Sequence, residues 1–320
     1  MHVVSLVSAM WLACLLVGGS PQAQDPSAPQ SQSPTFRSGV ELVTISAIVR
    51  DQKGRFVPEL TRDQFEVFDR GERRAITEFR PDEAPLTVAL LFDASGSMSV
   101  ASNVEEAKKV AAHVMAWLNR GRDEVALFSF DTQLDELQPF SKSQSDLHGA
   151  LSSVEPFGMT SLNDAIAETA RRVAARGGSH RAVIVFTDGN DNASRLTPPE
   201  VSGIASRIDV PIYIVVVASP LDARGLQAAL GPGGEGSAAA QLANLAAWTG
   251  GALYVCINGR PAEASVAARE IVDELRHQYL LAFEPGTQPG WHRVEVRVRD
   301  KRLTVRARSG YYAAEPRNGS

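Results

Sequence analysis

Leu86-Thr87-Val88-Ala89-Leu90-Leu91-Phe92-Asp93-Ala94-Ser95-Gly96-Ser97 is an apolar run that ends in a carboxylate and two hydroxyls. A strand buried on both faces reads this way, with no polar residue on alternate positions. Apolar Val104, Ala107, Val110, Ala111, Val114 and Leu118 then recur at helical spacing. The alternation continues downstream. Glu124 to Phe130, Arg181 to Thr187 and Pro211 to Val217 read as strands, and Leu134 to Phe140 pairs with the first of them. Helical stretches are expected over Ser143 to Val154, Leu162 to Ala175, Pro198 to Ile208, after the Gly231 to Gly236 loop, and over Pro261 to Arg276. Strands alternating with amphipathic helices predict an α/β, doubly wound, mostly parallel sheet over residues 85–276.

The flanks have a different period. Val43, Ile45, Ala47 and Val49 alternate with polar residues, as do Val294, Val296 and Val298, and then Leu303, Val305 and Ala307. Phe65-Glu66-Val67-Phe68 and Ala75 to Phe79 read as short strands around a hairpin loop at Asp69-Arg70-Gly71-Glu72. Residues 39–84 and 277–314 are each too small to fold alone. They are expected to pair into one small β-sandwich, into which the α/β domain is inserted, with a short tail at 315–320.

The N-terminus reads as an export signal over residues 1–24, apolar from Val3 to Val17, with cleavage near Ala23. A lipoprotein signal ending at Cys14 is the alternative. Residues 25–38 are rich in Ser, Pro and Gln and read as a linker. The protein is therefore expected outside the cytoplasm: periplasmic, on the cell surface or secreted, with no membrane span after signal cleavage. Cys256 would then be a lone buried thiol at the end of an apolar strand. The chain has 320 residues and a formal net charge of -5, which gives no reason to expect a nucleic-acid partner. The basic stretch from Arg293 to Arg308 alternates with apolar residues and reads as the solvated face of a strand.

Three segments carry chemistry: Asp93-Ala94-Ser95-Gly96-Ser97, Gly158-Met159-Thr160-Ser161-Leu162 and Thr187-Asp188-Gly189. In an open α/β sheet, ligands bind beyond the carboxyl ends of the strands, where the first and third segments fall. Two carboxylates and three hydroxyls offer oxygen donors alone, which suits Mg²⁺, Mn²⁺ or Ca²⁺ rather than Zn²⁺. Gly96 is expected to give the first turn unusual dihedrals. Taken singly, each segment is an ordinary helix cap or turn.

Together these segments resemble the metal-ion-dependent adhesion site (MIDAS) of von Willebrand factor A (VWA) domains, whose pattern is Asp-x-Ser-x-Ser, then Thr, then Asp. Asp93, Ser95, Ser97, Thr160 and Asp188 match all five positions over a resemblance spanning about Leu86 to Arg276. It implies that Ser95, Ser97 and Thr160 ligate the cation directly, with the carboxylates partly through water. With only two carboxylates the site is under-saturated, which leaves an open position for water or for an acidic residue from a protein partner, hence adhesion or metal-dependent protein binding. Val49 to Gly54, Leu60 to Val67 and Val305 to Tyr312 are similar to the ends of a bacterial "VWFA-related" family found often in Acidobacteria.

The runner-up readings are a structural envelope module with a loop-stabilising metal, and a metal-dependent hydrolase. A haloacid-dehalogenase phosphatase needs a second Asp where Ser95 stands. A serine hydrolase needs Gly-x-Ser-x-Gly, which is absent from this loop. A non-enzymatic binding protein is the reading carried forward.

Overall fold

A computed structural model describes residues 42–81, 84–143, 145–178 and 180–313. The expected signal, linker and tail, and the Cys14 alternative, lie outside the described residues.

In chain order the first strands are β1 (Val43–Arg50), β2 (Phe65–Asp69), β3 (Glu72–Arg74) and β4 (Ile76–Pro81). The α/β part follows with β5 (Leu86–Asp93), α1 (Asn103–Trp117), β6 (Glu124–Phe130), β7 (Leu134–Ser141), α2 (Leu147–Ser152), α3 (Leu162–Ala174) and β8 (His180–Thr187). It continues with α4 (Pro198–Ile208), β9 (Ile212–Ala218), α5 (Asp222–Leu230), α6 (Ala238–Trp248), β10 (Leu253–Ile257) and α7 (Pro261–Arg276). The last strands are β11 (Gln278–Phe283), β12 (Gly290–Val298), β13 (Thr304–Ala307) and β14 (Gly310–Ala313).

The central sheet has the order β10-β9-β8-β5-β6-β7, parallel except for β7 at one edge. Every residue of β5 is buried. Leu86, Val88, Leu90 and Phe92 face one core, against Val110 and Val114 of α1 and Ile271 and Leu275 of α7. Ala89 and Leu91 face the other, against Ile166 of α3, Val201 of α4 and Leu245 of α6. That two-sided burial explains the unbroken apolar run in the sequence. Local signals fix the helix starts: Thr197 caps α4, with Glu200 reaching back to the Thr197 amide at 2.8 Å and Pro198 in the first turn.

Strands from the two ends of the chain interleave in two four-stranded sheets, β13-β1-β11-β4 and β14-β12-β2-β3. β1 pairs antiparallel with β11 and β13, and β12 pairs with β2. Ile45, Phe65, Val67, Leu281, Phe283 and Val294 close a common core between them. The fold is thus the expected class, a mostly parallel α/β sheet with antiparallel sheets built from both flanks.

Asp123, buried beyond the Glu124 end of β6, marks where the chain passes between these parts. Its Oδ1 accepts from the Leu86 amide at 3.0 Å, and its Oδ2 accepts from Arg276 Nη2 at 2.7 Å. One carboxylate therefore ties both connections at the amino end of β5, opposite Asp93.

Several expectations need correction. The hairpin at Arg70-Gly71 pairs β2 with β3, not with β4, which crosses to the other sheet beside β11. The helix expected from Ser143 is shorter at Leu147–Ser152, whereas α5 and β14 had no periodic signal long enough to stand out. The basic stretch is solvated at Arg293 and Arg297 but not throughout. Arg306 bonds to buried Glu274 of α7, and Arg308 is buried. Cys256 is buried as expected, and that burial pushes its thiol up to about 12, with Glu263 and Glu106 adding to the rise.

Candidate metal centre

The carboxyl ends of β5 and β8 meet at Asp93 and Thr187. Asp93, fully buried, ends β5. Its Oδ1 accepts from the Ser95 amide at 2.9 Å, and its Oδ2 accepts from the Thr187 hydroxyl at 2.6 Å. The chain after β5 turns through Gly96–Ser102, a 3-10 segment in which Ala101 and Ser102 adopt left-handed backbone. Two consecutive non-glycine residues there store strain. Asn258, just after β10, braces the turn by donating from Nδ2 to the Ala101 carbonyl and to Asn103 Oδ1, each at 2.7 Å.

The second loop lies directly against the first. The Phe157 amide donates to the Ala94 carbonyl at 2.7 Å, and the Gly96 amide donates to the Gly158 carbonyl at 3.0 Å. Gly96 eases that approach, because a Cβ on it would stand 3.2 Å from the Gly158 carbonyl oxygen, a tight contact. Its φ is not left-handed, so the expectation of unusual dihedrals at Gly96 is corrected to one of close contact. The unusual dihedral sits at Gly158, with φ +85°.

The third loop closes on the second. The Thr160 carbonyl accepts from the amides of Asn192 at 3.0 Å and Ala193 at 2.9 Å, while the Thr160 amide donates to Asn192 Oδ1 at 2.8 Å. Asp191 and Asp164 stitch the same seam through the amides of Asn163 and Leu196. Hydrogen bonds therefore link all three loops, and the segments holding Asp93, Ser95, Ser97, Thr160 and Asp188 lie together. Asp93, Ser95 and Thr160 are buried, while Ser97 and Asp188 are half-buried at the rim.

Two features describe the site electrostatically. Ser95 Oγ and Ser97 Oγ stand 3.1 Å apart. The Asp93 carboxyl is raised to about 6, first by burial and further by the Asp188 charge, although hydrogen bonds from Ser95 and Thr187 oppose the rise. This buried carboxylate has a second one beside it and, among the described residues, no ion-pair partner. Among the described residues no cluster of three or more His, Cys, Asp or Glu side chains could hold a metal. Two carboxylates joined by three hydroxyls form a donor set of a different kind.

Thr187, Asn192, Asp191 and Asp164 support the site but were not among the sequence-predicted ligands. Thr187 could have been found, since it precedes Asp188 at the end of a buried strand. The other three act through backbone amides, which leave no residue-type pattern. Exposed apolar side chains also crowd this end. Phe157 is 80% exposed and Met159 52% exposed, both on the Thr160 loop.

Residues 88–190 match the family model described as the von Willebrand factor type A domain. The match groups this segment with such domains and contains all five candidate ligands. No curated protein matches the sequence. Among solved structures, the chain is similar to BatB from Bacteroides thetaiotaomicron, at 17% identity and TM-score 0.46, over 59% of this chain and 98% of that one. It is similar to an aerotolerance-related membrane protein from Bacteroides fragilis, at 19% and 0.47, over 59% and 98%. A von Willebrand factor type A protein from Catenulispora acidiphila aligns at 14% and 0.45, over 88% and 76%.

Proposed function

We propose that this chain is an exported, non-enzymatic binding protein that holds one divalent cation, Mg²⁺ by preference, at Asp93, Ser95, Ser97, Thr160 and Asp188. The observation that carries this reading is the 3.1 Å spacing of the Ser95 and Ser97 hydroxyls beside a buried carboxylate without countercharge. Neighbouring ligands of an octahedral cation bound at about 2.1 Å lie about 3 Å apart. The residues therefore fit the ion: Ser95, Ser97 and Thr160 supply neutral oxygens, and Asp93 and Asp188 supply charge.

When bound, the cation supplies a positive charge that attracts an acidic group from outside. This chain's own residues do the rest. Two carboxylates leave a divalent ion with unfilled coordination, so a carboxylate from a protein partner completes it. The exposed Phe157 and Met159 beside Thr160 offer apolar contact around that bridge. The loops are already bonded to one another through Ala94, Gly96 and Thr160, which favours a binding role over a metal that merely staples them. Export rests on the apolar N-terminal stretch. No helix among the described residues is long and apolar enough to cross a membrane.

A pull-down from envelope extract with and without EDTA tests the partner. Binding lost on chelation and in Asp188→Ala is expected. Binding that survives both would remove the metal bridge and move recognition elsewhere on the molecule.

A further inference from the structure

A concavity lies where α4 and α6 face β12 and β14. It holds about 500 Å³ and is walled by Trp248, Trp291 and Tyr312. These rings are 39%, 39% and 41% exposed, so each offers a face to solvent without protruding alone. The sequence permits this arrangement at two glycines. A Cβ at Gly310 would strike the Trp291 indole at 2.4 Å, and Gly203 lies under Tyr312. Ser202 and Ser309 also line it, their hydroxyls donating to the Pro198 and Trp248 carbonyls.

Tyr312 also lines an adjoining concavity of about 520 Å³, which is lined by Arg181, Arg207 and Arg308. Arg207 stacks on the Tyr312 ring at 4.3 Å, and Arg293 stands at the aromatic end. The charge in this region is unbalanced. Among the described residues, of these four arginines Arg308 alone has an ion pair, to Asp209 at 3.4 Å. Glu295, two residues from Arg293, is engaged by Arg297. Arg308, only 6% exposed, donates its terminal nitrogens to the Ser206 and Thr44 carbonyls, and Arg181 donates to the Ala174 and Ile208 carbonyls. That leaves the exposed Arg207 and Arg293 to meet a ligand. Arg207 and Arg293, backed by the half-buried Arg181 and the buried Arg308, make the joined concavities a cationic trough.

We infer that this trough binds an acidic oligosaccharide, its sugar rings lying on Trp248, Trp291 and Tyr312 and its carboxylates on the arginines. Flat, partly exposed aromatic rings match the apolar face of a sugar ring. The exposed guanidiniums of Arg207 and Arg293 match a carboxylate, which a guanidinium binds through two parallel hydrogen bonds. An acidic peptide would gain most by adding a strand to β14, but α4 packs along that strand.

Tryptophan fluorescence of the full chain, titrated in EDTA with tetragalacturonate, maltotetraose or poly-L-glutamate, tests this. EDTA separates the trough from the metal centre, so the two readings fail independently. A saturable change with tetragalacturonate is expected, at least about tenfold weaker with maltotetraose and with poly-L-glutamate. Trp291→Ala and the exposed-site variant Arg207→Ala, each with an unchanged melting temperature, should weaken it about tenfold or more. If Trp291→Ala unfolds, Arg207→Ala alone decides. Equal binding of the neutral sugar, equal binding of poly-L-glutamate, undiminished binding by Arg207→Ala, or no change with tetragalacturonate would each overturn the proposal.

Discussion

Asp69 and Asp93 are both sealed into this molecule, and their carboxyls are shifted in opposite directions. Asp69 sits between the sandwich sheets and Asp93 at the end of the parallel sheet, 1% and 0% exposed. Burial alone would raise Asp69, but hydrogen bonds from His292, the Gly286 amide and Tyr311 more than offset it, leaving the carboxyl below its ordinary value. His292 Nδ1 lies 2.7 Å from Asp69 Oδ1, the Tyr311 hydroxyl donates to Oδ2 at 2.9 Å, and Arg74 Nε stands 3.6 Å away. Asp93 is surrounded by hydroxyls, amides and another carboxylate, and is raised to about 6. A carboxylate with its countercharge built in welds a fold together. One without it waits for a cation.

Breaking the weld should have the largest effect. His292→Ala leaves Asp69 buried with its main partner gone, and is expected to cost about 3–5 kcal/mol in urea unfolding. Asp93→Asn in EDTA at pH 7.5 should act the other way. It removes an uncompensated charge, and the rise from 3.8 to about 6 corresponds to a gain of up to about 3 kcal/mol. A loss of similar size in both variants would erase the contrast.

Acidity sharpens the same comparison. A carboxyl raised in the folded state contributes stability that is full below its unfolded value of 3.8 and lost as pH rises through about 6. Metal-free protein should therefore gain about 1 kcal/mol around the Asp93 loops between pH 7.5 and pH 5, read by amide hydrogen exchange. Excess Mg²⁺ should abolish that gain. Asp69, lowered in the folded state, contributes stability present above the unfolded value and lost as pH falls below it. Protection in the sandwich should therefore drop only in stronger acid. A single common pH response in both regions would contradict the assignment.

Thr187→Val is expected to be milder. It removes the donor at 2.6 Å from Asp93 Oδ2, which should weaken Mg²⁺ binding about tenfold with a stability change near 1 kcal/mol. Unaltered affinity would show that this hydrogen bond does not orient the carboxylate.

The parallel sheet was legible because burial on both faces writes an unbroken apolar run, as in Leu86 to Phe92. The five candidate ligands were read from oxygen donors where buried strands end and, for Thr160, where a helix begins. The β2–β3 hairpin was misjudged because Glu72–Arg74 is too short and polar to show a period of two, so Ile76 to Phe79 took its place. The weld was invisible. Asp69 looked like a turn residue and His292 like one member of an alternating strand, and only the pairing of β12 with β2 and β14 brings Asp69, His292 and Tyr311 together. The aromatic trough escaped for the same reason, since Trp248, Trp291 and Tyr312 come from three separate elements.

Isothermal titration with Mg²⁺ at pH 7.5, on the wild-type chain and on Asp93→Ala, tests the cation site most directly. One saturable site in the wild type and none in the variant is the expected result. Equal Mg²⁺ binding by both would place the ion elsewhere and leave the buried charge of Asp93 unexplained.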